Sequence, residues 1–177
     1  AAKALGLSGL AEDMTPILLE LARVDLRAIS ALTEMRRTEA LRELARDATL
    51  RARERVAAAH GMGTLGSLDE ALPILSAFAR DVGNRDSDRI EAAKALGLLG
   101  QADDAAPILL ELACKEIQES PSRNVKMRIF ATTTLVKLGR TKELNALADD
   151  PSMDQSVRLR AIEALKKGAS DYITKPF

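Results

Sequence analysis

One histidine and one cysteine, His60 and Cys114, are the side chains in this chain best suited to catalysis. An imidazole titrates close to neutral pH and serves as a general base or a metal ligand. A thiolate is a nucleophile when a nearby base lowers its pKa. A zinc site needs three or four ligands, and no His/Cys cluster exists in the sequence. His60 and Cys114 also fall in different copies of an internal repeat. In the self-aligned repeats His60 shares its column with Lys3, Ser30, Lys94, Thr133 and Glu163, a polar column expected to face water. Cys114 shares a column with Arg23, Arg46, Arg80 and Asp149, which predicts a partly exposed thiol at a helix end. No catalytic residue, metal site or cofactor is therefore expected.

Charged side chains recur with more order. Glu20, Glu43 and Glu111 occupy one column, and Arg23, Arg46 and Arg80 another three residues further on. Glu and Arg at i, i+3 support a helix locally by a few tenths of a kcal/mol. Repeated from helix to helix, they form charged rows able to set the register of a bound protein. These six residues are the candidate partner-binding set. Basic clusters at Arg51, Arg53 and Arg55, at Arg123, Lys126 and Arg128, at Lys137, Arg140 and Lys142, and at Arg158, Arg160, Lys166 and Lys167 read as solvated faces.

The elements that must position these residues come from aligning the chain with itself. Residues 1–22 (AAKALGLSGLAEDMTPILLELA) and 92–113 (AAKALGLLGQADDAAPILLELA) agree at 17 of 22 positions. Weaker copies begin at Asp25, Arg55, Arg128 and Arg158, and from Arg55, Arg89 and Arg128 a Gly follows eleven residues later: Gly66, Gly100 and Gly139. Such glycines end helices in the left-handed conformation. A second apolar helix follows in each unit, expected to start at Pro16, Thr38, Pro73, Pro107 and Thr141. Pro suits a first helical turn and Thr an N-cap. The acidic pairs Glu12-Asp13, Asp69-Glu70 and Asp103-Asp104 are expected just ahead of those starts. The polar stretches 81–88 and 115–124 read as longer loops.

No stretch alternates with period two, so no sheet is expected. One helical hairpin cannot bury its apolar stripe alone, whereas stacked hairpins bury a continuous core. The fold expected is all-α: a right-handed α-solenoid, or superhelix, of stacked antiparallel helical hairpins. It has about five and a half units, 1–23, 24–50, 51–85, 86–121, 122–152 and 153–168, with a C-terminal tail at 169–177.

The motif Ala92-Ala93-Lys94-Ala95-Leu96-Gly97-Leu98-Leu99-Gly100, followed by Pro107-Ile108-Leu109-Leu110-Glu111-Leu112, resembles the HEAT-like repeats of the phycobilisome-lyase type. That resemblance covers residues 1 to about 168. It implies a solenoid whose second helices line a concave face. It is nearly silent on activity, because such repeats serve scaffolds, bilin lyases and DNA glycosylases alike. The segment Ala161–Phe177 (AIEALKKGASDYITKPF) is similar to the last helix and strand of response-regulator receiver domains, with Lys175-Pro176 in place of their Lys-Pro. The earlier strands and phosphoacceptor that a receiver needs have no counterpart, so no phosphoryl transfer is implied.

Composition narrows the partners. Twenty-six basic and 26 acidic residues cancel, leaving no overall field for nucleic acid or anionic lipid. Aromatic residues are 2% of the chain, too few to stack bases or line a tetrapyrrole pocket. No apolar run approaches a membrane span. The single cysteine fits a reducing, cytoplasmic setting. With Ala1 rather than Met at the start, removal of an upstream segment stays open. The reading is a non-catalytic protein–protein interaction scaffold that binds another protein through the second helices, with self-association through exposed solenoid ends also open. The alternatives are a bilin lyase or lyase-like subunit and a nucleic-acid-binding repair protein.

Overall fold

In a computed structural model, the described residues are 14–115 and 121–173, and all of their regular structure is helical. Residues 14–22 form α1. There follow α2 (Leu26–Glu34), α3 (Thr38–Arg46), α4 (Ala52–Thr64), α5 (Leu68–Arg80), α6 (Asp86–Leu98), α7 (Ala102–Cys114), α8 (Pro121–Lys137), α9 (Thr141–Asp149) and α10 (Gln155–Ile173). The chain divides into two compact units, Ala1–Phe78 and Ala79–Phe177.

Within the first unit α3 packs on α2 and α4, and α2 on α4. Within the second, α7 packs on α6, α8 and α9, and α8 on α6, α9 and α10. In both units, helices meet their next and next-but-one neighbours. The core is made of Leu, Ala, Ile, Val and Met; Leu32, Leu41, Met62, Leu75, Ile90, Leu109, Leu135 and Val157 are fully buried. Small side chains set the helix spacing. A Cβ at Gly97 would stand 2.4 Å from Leu138 Cδ1, so glycine there admits the end of the next helical layer.

Helix ends follow one rule. Gly66, Gly100 and Gly139 all have positive φ. In each case the amide after the glycine reaches back to a carbonyl five residues earlier: Ser67 to Met62, Gln101 to Leu96, Arg140 to Leu135. This is the Schellman closure. Arg36 occupies the same column and also has positive φ, 57°, with Arg37 N donating to Leu32 O in the same pattern. In the last unit the column holds Ala169, and α10 runs through it to Ile173. Residues 169–173 of the expected tail are thus helix; 174–177 lie outside the described residues.

Helix starts depart from the sequence reading. α5 and α7 begin five residues ahead of Pro73 and Pro107, which sit inside the helices. Their first turns are instead Leu68-Asp69-Glu70 and Ala102-Asp103-Asp104, where negative side chains face the positive end of the helix dipole. Each proline removes one amide from the ladder and leaves its ring exposed. Thr38 and Thr141 are first helical residues; the caps before them, Arg37 and Arg140, make no side-chain capping bond. The pair Glu12-Asp13 and Gly9, the first unit's counterpart of Gly100 expected to end its first helix, lie outside the described residues. Residues 86–88 and 121–124, expected in loops, belong to α6 and α8.

One polar feature ties a second helix to the hairpin that follows it. Arg55 Nε donates to Ala45 O at 3.2 Å, Arg89 Nε to Ala79 O at 3.0 Å, Arg128 Nε to Ala113 O at 2.8 Å and Arg158 Nε to Ala148 O at 3.2 Å. Every acceptor is the last residue but one of a second helix, where carbonyls lack an intrahelical amide. The guanidinium satisfies that carbonyl and places positive charge at the negative end of the helix dipole. In the second repeat the column holds Asp25 instead of Arg. There the chain turns back on itself, and the neighbouring helix-end carbonyl, of Leu21, accepts backbone amides from Val24 and Asp25 at 3.0 and 2.9 Å. Arg89 and Arg128 are 1% and 3% exposed. Glu111 and Asp86 flank the Arg89 guanidinium, and Asp154 holds that of Arg128.

Candidate functional site

Four of the six candidate residues lie on α1, the turn after it and α3, in the first unit. A cleft of about 490 Å³ opens there, lined by Thr15 and Leu19 from α1 and by Glu39, Ala40, Arg42, Glu43 and Arg46 from α3. Ala40 is buried at its floor and Leu19 half-buried at its side. A second hollow shares Thr15, Glu39 and Ala40 and reaches Arg36 and Arg37; the Nε of Arg37 is buried without a hydrogen-bond partner.

The arginines of this face are held by carboxylates of their own turn and of the chain that follows. Arg42 grips Glu70 through Nε and Nη2, both at 2.8 Å, and also contacts Glu39. Arg46 reaches the same Glu70 at 2.8 Å. Arg23 pairs with Asp47 at 3.2 Å and more loosely with Glu20 at 3.9 Å. The hydrogen bond from Arg42, with the Arg42 and Arg46 charges, holds the Glu70 carboxyl below its ordinary range, and Glu70 and Glu39 raise the Arg42 guanidinium. Asp47 is lowered by the Thr49 hydroxyl and amide and then by Arg23. Two carboxylates stay turned to solvent: Glu20, and Glu43, which forms no ion pair among the described residues. Sequence reasoning missed Arg42, Glu39 and Glu70. The signal was present as Glu39-Arg42 at i, i+3, but Glu70 comes from 28 residues away.

In the second unit Arg80 stands 3.9 Å from Asp104, and Glu111 binds Arg89 at 3.1 Å. Glu111 therefore completes a structural arginine site rather than standing free.

His60 is half-buried in α4 rather than open to water, because α4 lies against both α2 and α3. Cys114 is the last residue of α7 and half-buried, as its column predicts. Burial and then the Asp150 charge raise its thiol pKa, against a smaller pull from Arg128. That is the opposite of an activated nucleophile. Among the described residues no group of three His, Cys, Asp or Glu side chains is placed to hold a metal, and no helix is long and apolar enough to cross a membrane.

Compared with family models, with curated proteins and with solved structures, the chain matches none.

Proposed function

We propose that the chain is a HEAT-like α-solenoid serving as a non-catalytic protein-interaction scaffold, with its partner seated on the second helices around the α1–α3 cleft. The observation that carries this reading is the charge arrangement at that cleft. Internal pairs hold Arg23, Arg42 and Arg46 in fixed positions, so they pre-organise the surface at little further entropy cost. Glu20 and Glu43 remain hydrated and available. The half-buried Leu19 and the alanine floor supply a small apolar seat between them. The recurrence of hairpins, with helices packed on their next and next-but-one neighbours within each unit, supports the solenoid reading and the repeat resemblance.

The test is recovery of partners by the tagged chain from a cell extract, repeated with Glu20→Lys plus Glu43→Lys, and with Arg27→Glu as a control. The Arg27 side chain is exposed on α2, away from the cleft lining. The expected result is a partner retained by wild type and Arg27→Glu and lost by the double variant. Equal recovery from all three refutes the placement of the binding face.

A further inference from the structure

The described part of α1 and the turn after it carry four large exposed apolar side chains: Met14, Ile17, Leu21 and Val24, at 39, 52, 48 and 75% exposure. Their spacing is three, four, three, which places them on one side of the helix as the narrow seam that a partner helix packs against. This seam is separate from the cleft, whose α1 residues are Thr15 and Leu19.

The repeat supplies a control for it. α7 is the twin of α1, with Ala105, Ile108, Leu112 and Lys115 at the four equivalent positions. In α7 the central pair is buried, Ile108 to 7% and Leu112 to 3%, and Ala105 fully. Packing within the chain thus uses Ile and Leu at the centre, with a small Ala at one end and, at the other, a Lys paired with Asp86 at 2.9 Å. α1 keeps the central pair and replaces both ends with apolar side chains, Met14 and Val24. Two of its departures from its twin are therefore gains of exposed apolar surface, one at each end of the seam.

The seam is also self-complementary. When two copies cross antiparallel, Ile17 of one faces Leu21 of the other, and Met14 faces Val24, each contact occurring twice about a two-fold axis. That is the isologous geometry of a symmetric dimer. We propose that this face is a homodimer contact in which the α1 seams of two copies pair antiparallel. The area offered by four part-exposed side chains from each copy lies at the small end of interface sizes. The association is accordingly weak and reversible, in the micromolar to millimolar range.

Sedimentation of the full chain over a wide concentration range tests this. The expected result is a monomer–dimer equilibrium. Ile17→Glu alone and Leu21→Lys alone each weaken it by about tenfold or more, since each buries two charges opposite apolar side chains. An equimolar mixture of the two variants recovers a heterodimer. In it the new carboxylate of one copy faces the new ammonium of the other, while the unaltered Leu21 and Ile17 face each other across the axis. Met14→Glu with Val24→Lys repeats the test at the outer positions should either central variant fail to fold. A wild-type chain that stays monomeric throughout overturns the proposal, and so does a wild-type dimer whose variants associate unchanged. A mixture no better associated than its components overturns the antiparallel register. None of these outcomes depends on the cleft binding a partner.

Discussion

Replacing Arg89 tests whether the arginine column holds the repeats together. Its side chain is 1% exposed. Nε donates to Ala79 O at 3.0 Å and Nη2 to Glu111 at 3.1 Å, with Asp86 3.6 Å from Nη1. Arg89→Ala removes one buried charge-assisted bond to a helix-end carbonyl and one to a carboxylate. It leaves Ala79 O without a donor, which costs about 1–3 kcal/mol by itself. The carboxylates left behind are not stranded in the core, since Glu111 is half-exposed and Asp86 keeps Lys115, so about 2 kcal/mol is expected, still a large fraction of a domain's stability. Arg89→Lys keeps the charge, but a point ammonium cannot reproduce a fork that reaches a carbonyl and a carboxylate together. About half the loss is expected there. Arg158 is the internal comparison. It is only half-buried and makes the same carbonyl bond at 3.2 Å, so Arg158→Ala is expected to cost about 1 kcal/mol. Urea unfolding followed by far-UV circular dichroism reads these values from the midpoints at fixed slope. A cost below about 1 kcal/mol for Arg89→Ala refutes the reasoning. So does equality between the Arg89 and Arg158 variants, because the argument rests on burial and on the second acceptor.

The same structure makes other predictions. Arg36→Gly is expected to stabilise the chain by about 1 kcal/mol, since Arg36 holds the left-handed conformation that its repeat-mates give to glycine; an unchanged or lowered unfolding midpoint contradicts this. Gly97→Ala is expected to cost at most about 1 kcal/mol, because the Leu138 methyls its Cβ meets at 2.4 Å must shift while alanine's helix preference returns about 0.5–1 kcal/mol, and Leu138→Ala in the same chain should turn the change favourable in a double-mutant cycle. The carboxyls of Glu70, Asp47 and Asp150 lie below their ordinary values, held by Arg42, by the Thr49 hydroxyl and by the Ser152 hydroxyl in turn. Their stabilisation is complete above the ordinary carboxylate range and is lost as pH falls through the lowered values. The melting temperature should therefore drop in acid, and Glu70→Gln should flatten that drop; an unchanged slope counts against the Arg42–Glu70 pair. Cys114 should react with a disulfide reagent at pH 8 more slowly than a free thiol, its pKa being raised by burial and Asp150, and denaturant should restore the ordinary rate.

Which features were legible in one dimension follows from the kind of signal each leaves. The helix C-termini were legible because a left-handed residue selects glycine, and Gly66, Gly100 and Gly139 stand at a fixed distance from the arginine column. Arg36 kept the conformation without the residue type, so only the column betrays it. The N-termini misled because proline suits a first turn in general, whereas here Asp69-Glu70 and Asp103-Asp104 make that turn. A charge favoured by the helix dipole marked the start better than the ring did. The candidate rows of Glu and Arg lie on the surface, but their ion partners were invisible, since Glu70 and Asp104 come from other helices 24 residues along the chain from Arg46 and Arg80.

The arginine column shows how far spacing alone reaches. Arg55, Arg89, Arg128 and Arg158 were recognisable as equivalent, yet the side chain's target was not. The target does leave a trace: an alanine ten residues upstream in three of the four cases, and fifteen upstream across the longer connection before Arg128. Acceptor and donor are one helix end and the next helix start, so their spacing varies only with the connecting loop. Where Asp25 stands in the arginine's column, Leu21 O accepts the amides of Val24 and Asp25 as an ordinary helix-end closure. What recurs wherever the arginine is present is that the last carbonyl but one of a second helix is satisfied from the chain that follows. Arginine is the solution that tolerates loops of different length, which explains why the column survives the insertion before Arg128 that shifts everything around it.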